Sequence, residues 1–485
     1  MRTNLSRRRF LRHAAAAIPA QAFPQAPAPR PNVLFIVVDD LDCRIGAYGD
    51  PVAKTPNLDR LAARGVRFDR AYCQYPLCNP TRSSVLSGRY PTSTGVLDNN
   101  TYLLLEAGQF TMPDYFQRNG YNVALFGKIF HGQNRGFHSK DALPPNPAWF
   151  TPAQRAAQQA EQPAYWSSVH SPYRTLRLPD PSQYAWANLT GPLPDGDRGQ
   201  DFRIAGDAIA SLEKMAAAGK PFFLAAGFHK PHVPLTAPKE FFDLFDPARM
   251  PLPPDFDTEP RRPPGMPADE FRENIDLFAS RSFSVQEARE AMRAYYACMS
   301  YMDAQAGRLL DRLRDLGLEQ DTIVVLWGDH GWHLGEKGMW AKGTLFEVSA
   351  RGPLIIAAPR TAPAGRTCRR VVQYLDLYPT LVSLCGLPAA PWLEGASLTP
   401  LLENPDANWD KPAFTVQARE WRLGRSVRDG RWRYTEWEEG RRGAALFDHR
   451  TDPHEMRNLA SDPNYAGERE RLRRLLREGP LARRP

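Results

Sequence analysis

The segment around Cys78 combines a nucleophile with features that favour a bound anion. Pro80 is typical of the first turn of a helix and Gly88 of a helix end, so the sequence predicts a short helix beginning beside the cysteine. The positive end of that helix dipole would face Cys78, and Arg82 follows one turn later. Both features stabilise negative charge, so the segment suits attack on a sulfate or phosphate group.

Four short apolar runs end in side chains that suit metal binding or proton transfer. Runs without polar alternation are typical of strands buried on both faces, as in a parallel sheet covered by helices. Ligands of such sheets bind at the carboxyl ends of the strands. The runs, with the residues that follow them, are 32–38 (Asp39, Asp40), 122–126 (Lys128, His131), 221–228 (His229, His232) and 322–327 (Asp329, His330). We therefore expect an active site at one edge of the sheet.

The motif Cys-x-Pro-x-Arg at 78–82, followed by Ser-Gly-Arg at 87–89, resembles the signature of the type I sulfatases, in the alkaline phosphatase superfamily. The resemblance covers nearly all of residues 31–460 and is strongest toward the iduronate-2-sulfatase branch. The other segments that carry it are GKIFH (127–131), FHKPHVP (228–234), GDHGWHLGEKGMWAK (328–342), DLYPTL (376–381) and LFDHRTDPHEMRNL (446–459).

The resemblance implies a metal centre built mainly from oxygen ligands. The positions that match the family's calcium ligands are Asp39, Asp40, Asp329, His330 and, once modified, Cys78. Hard oxygen donors suit Ca²⁺, with Mg²⁺ as an alternative. Many sulfatases have asparagine at the position of His330, whereas the iduronate branch resembles this chain in having histidine.

The resemblance also implies that a formylglycine-generating enzyme oxidises Cys78 to formylglycine. One hydroxyl of the hydrated aldehyde would attack sulfur, His232 would protonate the leaving alcohol, and Lys342 would contact the sulfate or the leaving oxygen. The second hydroxyl, deprotonated with help from His131, would then expel sulfate and restore the aldehyde.

Two further cations and one histidine complete the site that the resemblance implies. Lys128 and Arg82 would hold the transferred charge and the hydrated aldehyde. His229 is a candidate for substrate binding, and a role as an ordinary loop histidine is equally open.

The expected function is that of a sulfuric ester hydrolase that releases sulfate from a sulfated sugar. A phosphodiesterase or phosphonate monoester hydrolase with the same modified cysteine and metal is an alternative within the superfamily. An inactive homologue that binds sulfated polysaccharide is another alternative, although a site that is no longer catalytic would be expected to lose some of its residues. We also consider the arginine-rich hairpin 422–433 as a hypothetical substrate contact.

The expected fold class is α/β, with a large, mostly parallel sheet sandwiched by helices as in alkaline phosphatase. A fifth apolar run at 354–358 adds a strand. A threonine cap, a proline in the first turn and a terminal glycine predict a helix at 55–65, and helical spacing predicts another at 284–316. Residues 134–200 and 251–267 are polar and rich in proline, so we predict surface insertions there.

The end of the chain differs in character and predicts a small antiparallel sheet with one helix. Residues 425–437 read as a hairpin around Asp429 and Gly430, and a strand at 444–448 and a basic helix at 468–477 follow. The predicted parts of the chain are a signal and lead-in (1–30), a catalytic domain (31–400) and a C-terminal subdomain (401–485).

Residues 6–12, SRRRFLR, form a twin-arginine signal, with a small-residue cleavage site at 20–22. We therefore expect export to the periplasm or the outside through the twin-arginine machinery. No apolar run is long enough to span a bilayer. Without the five arginines of residues 1–22 the net charge falls from +8 to +3, which gives no support to nucleic-acid binding.

The six cysteines are too few and too scattered to predict a disulfide framework. The chain has no Cys-x-x-Cys pair, so a structural zinc site is not indicated. The cysteines other than Cys78 that we expect in the core are Cys43, Cys73, Cys298 and Cys385.

Overall fold

The computed structural model describes residues 30–131 and 190–482, except 273, 275, 276, 279–281 and 421. The strands in these ranges are β1 (Asn32–Val38), β2 (Val66–Tyr72), β3 (Asn122–Gly127), β4 (Thr190–Pro192), β5 (Phe222–Phe228), β6 (Leu235–Ala237), β7 (Thr322–Gly328), β8 (His333–Leu334), β9 (Trp340–Ala341), β10 (Arg351–Gly352), β11 (Leu354–Ala357), β12 (Arg366–Gln373), β13 (Ala413–Arg419), β14 (Arg422–Arg428), β15 (Trp432–Trp437) and β16 (Ala444–Asp448). The α-helices in the same ranges are α1 (Pro56–Ala62), α2 (Cys78–Ser87), α3 (Pro91–Thr94), α4 (Met112–Arg118), α5 (Gly199–Ala218), α6 (Lys239–Phe242), α7 (Val285–Asp315), α8 (Glu347–Ala350), α9 (Leu377–Leu384), α10 (Thr399–Glu403) and α11 (Ala466–Glu478).

The central sheet has eight strands, in the order β10-β2-β11-β7-β1-β5-β3, with β12 also paired to β2. Strand β1 runs parallel to both of its neighbours, β5 and β7, and β3 runs parallel to β5. Strand β11 is antiparallel to β7 and β2. The sheet is therefore mostly parallel, as expected, but the fifth apolar run forms an antiparallel strand within it.

Alternate side chains of β1 face two different hydrophobic cores. Leu34 and Ile36 pack with α1, α5 and α7 on one face of the sheet, whereas Val33 and Phe35 pack with α2, α4 and α9 on the other. All four side chains are fully buried. The cover on both faces explains why the strand sequences lack polar alternation.

The long helix α7 begins with a reciprocal cap. The Glu287 amide donates to the Ser284 hydroxyl over 3.1 Å, and the Ser284 amide donates to the Glu287 carboxylate over 2.8 Å. This arrangement satisfies two amides at the helix start. It confirms the helix that the sequence predicts from residue 284.

Strands β13 to β16 form a four-stranded antiparallel sheet in chain order. The β14–β15 hairpin pairs Arg428 with Arg433 across the turn predicted at Asp429 and Gly430. Helix α11 packs against this sheet through Leu472 and Leu476. The small antiparallel sheet with its helix is confirmed, while the division into domains near residue 400 stays a prediction.

The two predicted insertions differ from each other. Residues 251–267 contain turns and bends and one isolated bridge, but neither a helix nor a strand. Residues 134–189 lie outside the described part of the chain. Residues 190–200, which we assigned to the same insertion, instead supply β4 and the start of α5.

All six cysteines lie in the described part of the chain and are free thiols there. Cys73, Cys298 and Cys385 are buried as expected, whereas Cys43 is partly exposed. The predicted signal and lead-in lies outside the described residues, except for Arg30. Within the described ranges, no helix combines the length and apolar character needed to cross a membrane.

Strands β3 and β5 approach each other so closely that residue 227 must be glycine. A Cβ on Gly227 would lie 2.1 Å from the Lys128 carbonyl oxygen. We predict that Gly227→Ala lowers the free energy of unfolding by about 1–3 kcal/mol, because backbone must move to make room. Urea unfolding followed by circular dichroism measures this change.

Gly206→Ala is the matched control, because no described atom lies within 4 Å of the added Cβ in the middle of α5. This substitution should raise stability by about 0.5–1 kcal/mol, since alanine favours a helix interior. Equal unfolding midpoints for the two variants would contradict the close approach of β3 and β5.

Candidate active site and metal centre

The carboxyl ends of β1 and β7 place two pairs of ligand-type side chains together. Asp39 and Asp40 follow β1, and Asp329 and His330 follow β7, its parallel neighbour. The Asp329 amide donates to the Val38 carbonyl over 3.1 Å. The Asp40 amide donates to the Asp329 carboxylate over 2.9 Å. Strand pairing therefore brings the residues after both runs to one point.

Glycines flank Asp329 and His330, and each lets a neighbouring backbone segment lie close to the end of β7. A Cβ on Gly328 would lie 2.3 Å from the Leu41 carbonyl oxygen, and a Cβ on Gly331 would lie 2.0 Å from that of Val348. A larger residue at 328 would collide with the turn after β1, and one at 331 would collide with α8.

Cys78 is the first residue of α2, so the helix starts two residues earlier than Pro80. Gly88 ends it in the left-handed conformation with φ +70°, as the sequence predicts. The thiol sulfur lies 3.2 Å from Lys342 Nζ, 3.5 Å from His330 Nε2 and 3.8 Å from an Asp40 carboxylate oxygen. Cys78, the predicted nucleophile, therefore borders both the carboxylates and a cation.

Three fully buried carboxylates, Asp39, Asp40 and Asp329, offer oxygens that lie within 4.8 Å of one another. Within the described residues, Asp40 Oδ2 has no hydrogen-bond partner although it is buried. His330 Nε2 lies 3.4 Å from Asp40 Oδ1. A concentrated set of oxygens with one unsatisfied acceptor fits a hard divalent cation such as Ca²⁺ or Mg²⁺.

The fully buried Arg82 joins the two strand ends. Its guanidinium donates to the carboxylates of Asp329 over 3.0 Å and Asp39 over 3.1 Å. It also donates to the carbonyls of Lys128 and Ile129. Arg82 therefore links the ends of β1, β3 and β7, and it also places a positive charge beside Cys78.

The charges around the carboxylates set their pKa values in opposite directions. Burial raises the pKa of Asp39, but Lys128, His232 and Arg82 outweigh it and hold that pKa well below its usual range. Burial raises the pKa of Asp40 to about 6. Lys128 and Lys342 each donate from Nζ to one of the two, Lys128 to Asp39 and Lys342 to Asp40. Asp39 therefore stays ionised to lower pH than Asp40.

The three histidines differ in their surroundings. Burial and Lys128 lower the pKa of His131 to about 2, and burial lowers the pKa of His229 to about 3. Both imidazoles are therefore neutral. His232 is 30% exposed, and its Nε2 lies 3.8 Å from Asp40 Oδ2. Its Nδ1 lies 2.7 Å from the Val233 carbonyl, which favours the tautomer with the proton on Nδ1.

With this geometry in place, the chain can be compared with known proteins. The sulfatase family model matches residues 31–387. The chain belongs to the sulfatase family. A second family model, "N-sulphoglucosamine sulphohydrolase, C-terminal", matches residues 335–480 of the chain. The protein is therefore a type I sulfatase of the alkaline phosphatase superfamily, an enzyme that hydrolyses sulfate esters.

This sulfatase is similar to several characterised relatives over most of its length. It is 36% identical to iduronate 2-sulfatase of Mus musculus over 398 residues, which cover 74% of this chain and 69% of the relative. It is 31% identical to a sulfatase of Formosa agariphila over 477 residues, 92% of this chain and 86% of the relative. It is 32% identical to choline-sulfatase of Rhizobium meliloti over 459 residues, 90% and 83% of the two chains.

Solved structures show the same fold. The structure of BT4656 in complex with its substrate D-glucosamine-2-N,6-O-disulfate matches with a TM-score of 0.70 and 24% identity, covering 93% of this sulfatase and 97% of that chain. Phosphonate monoester hydrolase of Agrobacterium radiobacter matches with a TM-score of 0.70 and 23% identity, covering 93% and 95%. The shared fold therefore does not by itself select between sulfate and phosphonate substrates.

The arginine-rich hairpin of the sulfatase has a structural setting that the sequence did not indicate. Arg425, Arg428 and Arg433 are buried. Arg433 pairs with Glu347 over 2.6 Å, and Arg428 Nε lies 3.5 Å from the same carboxylate. Arg428 and Arg433 therefore join the small sheet to the segment before β10, which gives these two arginines a structural role without a substrate.

Sequence reasoning missed two residues that support the site. The Asp201 carboxylate accepts hydrogen bonds from the amides of His229 and Lys230, both over 2.9 Å, and so holds the loop that carries His232. The Tyr295 hydroxyl donates to the Asp40 carbonyl over 2.8 Å. An acid in the first turn of α5 was a usable signal for Asp201, whereas Tyr295 lies within the predicted helix 284–316 and gave no signal of its own.

We predict that Asp201→Asn destabilises the sulfatase by about 1–3 kcal/mol and lowers its activity. The two amides of the 229–230 loop need two oxygens, and asparagine offers one oxygen and a competing donor. Thermal unfolding and sulfate release measure the two effects. The control is Asp207→Asn on the exposed side of the same helix, which should stay within about 0.5 kcal/mol of wild type.

Proposed function

We propose that this sulfatase releases sulfate from a sulfated sugar, with Cys78 converted to formylglycine. The proposed metal is Ca²⁺, with Mg²⁺ as the alternative, and its proposed protein ligands are Asp39, Asp40, Asp329 and His330 with the modified Cys78. The observation that carries the proposal is the position of Cys78 Sγ, which lies 3.2 Å from Lys342 Nζ and 3.5 Å from His330 Nε2 beside three buried carboxylates.

The electrostatics of the cluster support a bound divalent cation. Asp39, Asp40 and Asp329 share one buried volume, so their mutual repulsion requires positive charge nearby. Arg82, Lys128 and Lys342 satisfy most of the oxygens, and Asp40 Oδ2 remains without a hydrogen-bond partner among the described residues. When bound, the cation would neutralise charge on the sulfate and favour an ionised nucleophile.

The surroundings of Cys78 support its conversion. Burial and the nearby Asp39 raise the pKa of the Cys78 thiol, so an unmodified thiol would stay protonated and would be a poor nucleophile at neutral pH. The hydrated aldehyde of formylglycine would supply an oxygen nucleophile instead. Lys342 and the N-terminus of α2 would stabilise negative charge at this position.

His232 and His131 suit opposite proton transfers. With Nδ1 donating to the Val233 carbonyl, His232 directs Nε2 toward the interior of the site, 3.8 Å from Asp40 Oδ2. We assign His232 the protonation of the leaving alcohol. His131 is neutral, as a proton acceptor must be, and its Nδ1 has no hydrogen-bond partner within the described residues. We assign it the second proton transfer.

A sugar substrate is proposed from likeness to relatives. The relatives include iduronate 2-sulfatases at 35% and 36% identity, and one structural neighbour was solved with D-glucosamine-2-N,6-O-disulfate. His229, whose Nε2 lies 3.2 Å from Gln200 Nε2, is the proposed substrate contact at the edge of the site. Lys128 and Arg82 are proposed to hold the sulfate end.

Maturation is proposed to involve two partners. A formylglycine-generating enzyme would oxidise Cys78, and the twin-arginine machinery would export the protein through the signal at residues 6–12. The twin-arginine route carries folded proteins, so oxidation in the cytoplasm is compatible with later export.

The mass of the tryptic peptide 71–82 tests the modification. We expect an aldehyde at residue 78 when the protein is made in cells that contain the oxidising enzyme. Cys73 lies in the same peptide and is buried, so it serves as an internal control that should remain a thiol. An intact Cys78 thiol, alongside a modified control sulfatase from the same cells, would contradict the mechanism.

Turnover of an aryl sulfate against an aryl phosphodiester tests the reaction class with the same preparation. A preference for the phosphodiester would favour the phosphodiesterase or phosphonate hydrolase alternative.

Metal removal tests the cation site. After dialysis against a chelator, added Ca²⁺ should stabilise the wild-type protein by about 2.7 kcal/mol at roughly 100 times its Kd. Asp40→Asn should lose this stabilisation, because it removes a negative ligand from the centre. Asp243→Asn, at an exposed ion pair with Lys239, should keep it. Calorimetric melting with and without Ca²⁺ gives the comparison.

A further inference from the structure

The turn that carries Asp40 leaves the central sheet abruptly. The Asp39 amide still donates to the Phe228 carbonyl over 3.1 Å, as in a continued strand. Asp40 then adopts φ +60°, a left-handed conformation that is uncommon for residues other than glycine. The peptide groups on either side of Leu41 no longer take part in strand pairing, so side chains must supply their hydrogen bonds.

Tyr295 bonds to the peptide groups on both sides of Leu41. Its hydroxyl donates to the Asp40 carbonyl over 2.8 Å and accepts from the Asp42 amide over 3.0 Å. A phenol can donate and accept at the same time, which a phenylalanine ring cannot do. Burial raises the pKa of Tyr295 well above its usual range, so the donated proton is retained.

The ring of Tyr295 is itself fixed by its neighbours. It is fully buried in the middle of α7 and stacks on Trp332, with ring centroids 6.4 Å apart and planes 18° apart. Lys342 Nζ, which donates to the Asp40 carboxylate, lies 5.2 Å from the Trp332 ring centroid. The hydroxyl therefore has little freedom to leave the turn.

We propose that Tyr295 is a positioning residue that holds Asp40 in its metal-binding conformation by bonding both peptide groups that flank Leu41. This inference rests on the proposed function, because it assumes that Asp40 binds the cation. Tyr295 does not touch the nucleophile and acts only through the backbone of the 40–42 turn. Loss of its hydroxyl should leave the ring packing in place and loosen the turn.

Calcium affinity of the Tyr295→Phe variant tests the inference. Calorimetric titration of the chelator-treated full-length protein with Ca²⁺ should show a Kd about 10- to 100-fold higher than in wild type, the usual effect of removing a group that orients a metal ligand. The loss of activity should shrink as Ca²⁺ is raised, because excess metal repopulates the bound state. A purely structural role would not give this metal-dependent recovery.

Tyr296→Phe is the matched control. Tyr296 is the next residue of α7, is also buried, and donates its hydroxyl to the Asp50 carboxylate over 2.8 Å. Its variant loses one hydroxyl hydrogen bond, to a carboxylate outside the 40–42 turn, and should keep the wild-type Kd. Should a variant be too unstable for titration, the rise in its own Tm on adding Ca²⁺ replaces the Kd.

The outcomes separate the inference from the proposed function. A wild-type protein without Ca²⁺ or Mg²⁺ binding would overturn both. A wild-type protein that binds Ca²⁺, with Tyr295→Phe at the same Kd, would overturn only the positioning role. Equal weakening by Tyr295→Phe and Tyr296→Phe would also overturn it, because the effect would then be a general loss of stability.

Discussion

The burial of three carboxylates at one point is the constraint on which the site depends. Asp39, Asp40 and Asp329 lie within 4.8 Å of one another and have no exposed surface. Charges removed from water are costly unless they are paired and hydrogen-bonded. The surrounding structure supplies compensation in the form of the cations Arg82, Lys128 and Lys342. Asp40 Oδ2 remains without a hydrogen-bond partner among the described residues, which is why we propose a metal there.

The sheet topology makes this arrangement possible without a large loop. Parallel neighbours β1 and β7 end side by side, and Gly328 lets the end of β7 lie close to the turn after β1. Helix α2 then points its N-terminus, with Cys78, at the same edge. Arg82 lies one turn into that helix and bonds to Asp39 and Asp329. It therefore also fixes the distance between these carboxylates and Cys78.

Local patterns were enough to predict five of the eight strands of the central sheet, the helix at Cys78 and the polar residues at the strand ends, because each of these is encoded within a few positions. The partners of these residues were harder to predict. Arg82 bonds residues 43 and 247 positions away, and Tyr295 bonds residues 255 and 253 positions away. A tyrosine on an apolar helix face looks the same in sequence whether its hydroxyl reaches solvent or a turn. The antiparallel direction of β11 was missed for a similar reason, since a short apolar run carries no sign of its direction.

The small C-terminal sheet has a physical connection to the chemistry. Lys342 lies in the short segment between β9 and α8, and Arg419 of β13 donates to the carbonyl of Gly343, the next residue. Farther along, Glu347 pairs with Arg433 of β15 over 2.6 Å. The segment that carries Lys342 is thus tied to the sheet on its C-terminal side. Because Lys342 Nζ lies only 3.2 Å from Cys78 Sγ, the sheet helps to set the position of a cation at the nucleophile.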